Sequence, residues 1–262
     1  MARVSELGAL DDQGRAVGRP FIDTIYQGKR VRAVGSEIVL RPPTETKQEF
    51  FVHVLVQTLS RTLGGDWKRE QGELSPTERH PIVVWVDAWD EMRRDGGTKA
   101  LDRADEGGGH YSATATGTVL VLLTLAYDVY TLRHAGALAP GDPLVKRLGN
   151  RAEFQGARYE IAAAAMLIRA GYRIEWLSDA SRKLPEFVAR RAGSDVEIAV
   201  EVKSRTRPGL LGRPGDPPDE ASVKADLGRL LRAALEKETD GRPFVVFLDL
   251  NLPPGQARPF EE

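Results

Sequence analysis

From Asn150 onward the apolar spacing changes period several times, and that succession limits the fold more than any other feature of the chain. Asn150-Arg-Ala-Glu153 can cap a helix, and apolar residues recur at helical spacing through an Ala-rich run to Arg169, stopped by Gly171. Tyr172 to Leu177, Glu186 to Arg191 and Asp195 to Thr206 then read as three strands, the last two split by Gly193. A Pro/Gly loop spans Arg207 to Pro218. Glu220 to Glu238 follows as an amphipathic helix, with Val223, Leu227, Leu230, Leu231, Ala234 and Leu235 on one face. Phe244-Val-Val-Phe-Leu248 closes as a buried strand. The expected order is α-β-β-β-α-β, which makes an α/β core of a sheet covered by helices.

The first part of the chain lacks that regularity. Phe21 to Leu40 alternates around turn signals and predicts short antiparallel strands. Thr46-Lys-Gln-Glu49 has the form of a capping box before a helix over Phe50 to Leu63, which Gly64-Gly65 stops. Pro81 opens Ile82-Val-Val-Trp-Val86, which reads as a buried strand. Residues 93–117 read as a loop, and Thr118 to His134 as an apolar helix. Ala139-Pro-Gly-Asp-Pro143 is the linker candidate. The expected organisation is an accessory α+β region over 1–140 with no assigned role, a core over 150–252, and a tail over 253–262.

Composition narrows the chemistry. The chain of 262 residues is 41% hydrophobic and 29% charged, as a globular protein is. It has no cysteine, which excludes disulfides, thiolate metal sites and cysteine nucleophiles. The four histidines, His53, His80, His110 and His134, have no metal-ligand spacing. Net charge is −1, so any nucleic-acid surface must come from local clustering of charge or from a partner. The longest apolar stretch, Val119 to Ala126, is too short for a bilayer, which takes about 20 apolar residues. No membrane association is expected, and the expected location is the cytoplasm.

Three acids and a lysine stand out in the second part. Glu160 lies on the Ala-rich helix, at the edge of the face made by Ala157, Ile161, Ala164 and Ile168. Glu186 follows Pro185 at the start of a strand, and Glu201-Val202-Lys203 lies in the next strand. Residues two apart on a strand share a face, so Glu201 and Lys203 point the same way. Carboxylates on neighbouring strands can hold a divalent metal and activate a water beside a phosphodiester. Glu186, Glu201 and the Val202 carbonyl supply the oxygen ligands that Mg²⁺ or Mn²⁺ prefers. Lys203 can orient the water or stabilise charge growing on the phosphate. Asp195 and Glu197 share the Glu201 face but lie roughly 20 and 13 Å along the strand, too far to join it. Asp179, in a turn, is the one nearby aspartate that could replace Glu186. Taken singly, each residue has a plain reading as a solvated or salt-bridged surface group, and only their conjunction points to chemistry.

That conjunction resembles the PD-(D/E)xK nuclease superfamily, the restriction-endonuclease-like fold, over residues 150–252. The opening Gly156-Ala-Arg-Tyr-Glu160 through Ala170-Gly-Tyr172 is similar to Holliday-junction-resolvase-like nucleases. The resemblance implies Glu160, Glu186, Glu201 and Lys203 as catalytic residues and Mg²⁺ or Mn²⁺ as cofactor. It departs from the family pattern at Glu186, where aspartate is usual. The extra methylene moves the carboxylate by about 1.5 Å, which bears on catalytic competence rather than on the fold.

The expected activity is therefore metal-dependent endonucleolytic hydrolysis of DNA, in phage defence or DNA repair by family analogy alone, with RNA as the other substrate class. Arg205, Arg207 and Arg213 flank the loop after the strand and are the expected phosphate contacts. The alternative is a catalytically weakened subunit acting as a nucleic-acid-binding or scaffold component of a larger complex. A protein partner through the N-terminal region and a homo-oligomeric or hetero-complex state are expected on the same grounds.

Overall fold

The computed structural model describes residues 21–26, 29–34, 38–40, 51–101, 111–113, 115–178, 181–191, 193–209, 211, 215–216 and 227–251. Their contacts separate into two compact units: one within Met1–Leu59 and Ile82–Ala126, the other within Ser60–Pro81 and Tyr127–Glu262. The unit that carries the large sheet thus takes in more of the chain than residues 150–252. The architecture is mixed α/β.

In the first unit β1 (Phe21–Tyr26) and β2 (Lys29–Val34) pair antiparallel from Phe21↔Val34 to Tyr26↔Lys29, as the alternation predicts. Strand β3 (Ile38–Leu40) pairs antiparallel with β4 (Tyr111–Ala113). Helix α1 (Phe51–Leu63) forms as expected and ends where Gly64, at φ +93°, donates its N–H to the Ser60 carbonyl. Its expected capping box, Thr46 to Glu49, lies outside the described residues.

Two expectations fail here. Ile82 to Val86 is not a strand but the start of α3 (Pro81–Leu101). Most of the supposed 93–117 loop is accounted for by the end of that helix, by β4 and by the first residue of α4 (Gly117–His134). The β-branched run is misleading because burial decides the matter. Ile82, Trp85 and Trp89 are buried at helical spacing while Val84 is exposed, and Pro81 suits a first helical turn. Trp89 meets His53 edge to face within this unit. Asp87, Asp90 and Glu91 therefore lie on a helix, and Asp90 pairs with Arg93 at 3.4 Å.

The second unit takes in the last residues of α1 and then the unanticipated α2 (Gly65–Glu73). It contains the end of α4, and residues 139–143 form a turn there, leading into α5 (Pro143–Gly149). Leu144, Val145 and Leu148 bury one side of α5. The Trp67 indole N–H donates to the Gly149 carbonyl at 2.9 Å and secures its end. Trp67, His80 and Phe154 stack edge to face in series. Burial, with Arg151 adding to it, pushes the His80 pKa down to about 4, so this ring packs as a neutral group.

Helix α6 (Phe154–Arg169) starts after a turn in which the Asn150 side chain accepts from the Ala152 N–H. It lies against β5 (Tyr172–Trp176) and β7 (Glu197–Ser204). The sheet order is β5-β6-β7-β8, with β6 (Phe187–Arg191) and β8 (Phe244–Asp249). β5–β6 and β6–β7 are antiparallel, and β7–β8 is parallel. The parallel step needs a crossover, which α7 (Leu227–Leu235) provides by packing on β7 and β8. Of the rest of the expected helix, 220–226 lies outside the described residues, and 236–238 is not helical. The core sits at Phe187, Val188 and Ala189 of β6 and Ala199, Val200 and Val202 of β7, all buried. Ala157, Ala163, Ala164 and Ala165 leave α6 no bulk between its backbone and its neighbours. Ala164→Leu is therefore expected to destabilise the unit by about 1–3 kcal/mol through overpacking, measurable by urea unfolding. No helix among the described residues is long and apolar enough to cross a membrane.

Candidate functional site

Strand pairing explains why the acids meet. β6 begins at Phe187 opposite Val200, so Glu186 leaves the sheet edge-on beside the residue after Val200, which is Glu201. Alternation puts Glu201 and Lys203 on one face of β7. Helix α6 brings Glu160 to the same place, and the charges of Glu160, Glu201, Lys203 and Lys237 all act on the Glu186 carboxyl.

Glu201 is fully buried, a costly position for a carboxylate. Its Oε1 is ion-paired with Lys203 and lies 3.4 Å from the Lys237 Nζ. Neither ammonium is aligned as a hydrogen-bond donor, and among the described residues both Glu201 oxygens lack a hydrogen bond. Glu186 is half-buried, and its pKa is pushed up to about 7. Loss of solvent is the main cause. The neighbouring carboxylates Glu160 and Glu201 add to it, against Lys203 and Lys237.

Glu160 is engaged differently. Arg147 of α5 grips it with both arms of its guanidinium, Nη1 to Oε2 at 2.8 Å and Nη2 to Oε1 at 2.6 Å. Sequence reading missed Arg147 and Lys237. Lys237, just past α7, also donates to the Leu184 carbonyl at 2.8 Å and so ties the segment before Glu186 to Glu201. The same segment is strapped to residues 236–240 by Lys183–Glu236, Arg182–Glu238, Arg182–Asp240 and the Glu238 N–H on the Lys183 carbonyl.

The Val202 carbonyl is turned toward the site by register. Ala199 and Arg205 donate their N–H groups to Pro243 and Asp249, which marks the odd residues of β7 as those bonded to β8. Even residues face β6, and the β6–β7 ladder ends at Phe187↔Val200. Val202 thus lies beyond the ladder, its carbonyl on the Glu186 side.

Other expected residues fall elsewhere. Arg207 is buried. Its backbone exchanges two hydrogen bonds with the Gln155 side chain, and its Nε donates to the Leu250 carbonyl. It braces the strand ends rather than facing outward. Arg205 is half-buried, its N–H on the Asp249 carbonyl. Glu197 pairs with Arg190 and Arg242, away from the cluster, and Asp195 is exposed. Arg213 and Asp179 lie outside the described residues.

Among the described residues no three acidic, histidine or cysteine side chains converge as a metal cage. The available set is smaller: Glu186, Glu201 and the Val202 carbonyl. Mg²⁺ commonly takes one or two carboxylates and keeps several waters. The buried Glu201 oxygens, which carry no hydrogen bond, and the crowded Glu186 carboxyl form an all-oxygen donor set that fits such an ion. No family model, curated protein or solved structure matches this chain.

Proposed function

We propose that the second unit is a metal-dependent nuclease of the restriction-endonuclease-like type, hydrolysing DNA phosphodiester bonds. The observation that carries this reading is the meeting of Glu186, Glu201 and Lys203 at the end of the β6–β7 ladder, with Glu201 buried and its oxygens unsatisfied. Glu186, Glu201 and the Val202 carbonyl would hold Mg²⁺ or Mn²⁺. When bound, such an ion lowers the pKa of a coordinated water and polarises the phosphoryl oxygen. Lys203 holds its ammonium at the mouth of the site, about a quarter exposed, where it can orient that water or meet charge developing on phosphate. Burial of Glu201 keeps bulk water from competing for its oxygens.

A second reading has its own observation. Glu160 and Glu201 already have cationic partners in the chain, so the cluster is largely compensated without a metal. A nuclease fold that only binds nucleic acid or scaffolds a complex would look like this. The test is cleavage of supercoiled plasmid and of single-stranded DNA and RNA by the purified protein with Mg²⁺ or Mn²⁺. Cutting that stops on chelation supports the nuclease. Salt-dependent binding with no cutting under any of these conditions rejects it in favour of the second reading.

A further inference from the structure

The Arg147–Glu160 pair is unequal. The Glu160 side chain is 8% exposed and the Arg147 side chain 37%. The buried carboxylate grips both arms of the guanidinium, and the cation keeps an open side. A guanidinium has five N–H donors, and this fork spends two. The Nε is 3.7 Å from Glu153 Oε1, an ion pair longer than a hydrogen bond. Donors are therefore left over, and Glu186 lies within their electrostatic reach. Support for the arginine is rigid. Leu144, Val145 and Leu148 bury α5, Trp67 ties its last carbonyl, and Glu160 rises from the middle of α6.

On this basis, and resting on the nuclease reading, we infer that Arg147 is a phosphate-binding residue of the site, aimed by Glu160 at the backbone of the nucleic acid. A planar fork held by a buried acid on one side is suited to present its remaining N–H groups to phosphate oxygens on the other. It adds positive charge beside three carboxylates that would otherwise repel a polyanion. Glu160 is on this account a positioning residue and not a metal ligand, since both its oxygens serve the fork.

The test is binding of a labelled DNA duplex, in chelator to prevent cleavage, across a range of salt concentrations. Each phosphate contact contributes about one unit to the slope of log affinity against log salt. Arg147→Gln is expected to lower the slope by about one, at any DNA sequence. Because that change strands Glu160, the double variant Arg147→Gln/Glu160→Gln, which keeps a neutral hydrogen-bonding pair, is measured beside it and is expected to show the same fall. Arg147→Lys is expected to keep the slope. An unchanged slope in both glutamine variants, with native circular dichroism, overturns the role of Arg147 and leaves the nuclease reading standing. No salt-dependent binding by the wild type overturns the nucleic-acid reading and Arg147 with it.

Discussion

Glu201→Ala is expected to lose metal binding and cleavage together, whereas Lys203→Ala keeps the metal and loses about 10²- to 10³-fold in cleavage rate. The two residues share a face of β7 and touch, yet their parts in the chemistry differ. On the proposed function Glu201 is a metal ligand, a buried carboxylate whose oxygens carry no hydrogen bond, so its removal takes away a ligand outright. Loss of outer-shell support alone costs roughly 10- to 100-fold in metal affinity, and loss of a ligand is expected to cost at least about 100-fold. On the same proposal Lys203 supplies charge at the reacting phosphate and none of the metal's donors. Lys237, 3.4 Å from the same Glu201 oxygen, limits the loss in Lys203→Ala, and the double variant Lys203→Ala/Lys237→Ala is expected to fall further. Calorimetric titration with Mn²⁺ and plasmid nicking measure the two effects separately. Lys203→Ala cutting within a few fold of wild type would remove that residue from the mechanism.

What the sequence makes legible here is local. Gly171, the Ala-rich run and the alternating segments locate α6, β5, β6 and β7 because each announces its own period. Glu186 and Glu201 can be placed side by side because adjacent antiparallel strands bring the start of one to the end of the other. Short elements escape the same reasoning. Helix α5 has seven residues, under two turns, and α2 buries none of its residues, so neither shows a readable period. Ile82 to Val86 misleads because five residues cannot distinguish a buried strand from one side of a helix. Arg147 and Lys237 are illegible for another reason: they reach Glu160 and Glu201 only through tertiary packing. Arg207 shows the converse limit. A basic residue just after β7 reads in sequence as a candidate phosphate contact, and here the fold uses it on a carbonyl.

Glu186→Gln is expected to abolish cleavage and, above neutral pH, to make the protein more stable. In the folded chain the Glu186 carboxyl titrates near 7 against a usual 4.5. Between those values the folded state keeps a proton that the unfolded state gives up. Its contribution to stability is thus unaffected below about 4.5, is lost progressively as pH rises to about 7, and stays lost above. At about 1.4 kcal/mol per pK unit the loss is at most about 3.5 kcal/mol, and partial solvent access makes it smaller. Glutamine cannot ionise, so the difference between variant and wild type isolates this group from the rest of the titrating chain. Urea unfolding of both proteins at pH 4.5, 6 and 8 should show the variant gaining stability over wild type as pH rises. A constant difference across that range would mean that Glu186 does not sit among buried like charges. Added Mn²⁺ or Mg²⁺ then separates function from architecture. A divalent ion held between Glu186 and Glu201 relieves the repulsion and restores wild-type stability at pH 8, while the glutamine variant gains little. If both proteins respond equally to the ion, the acids are a structural cluster and the ion binds elsewhere.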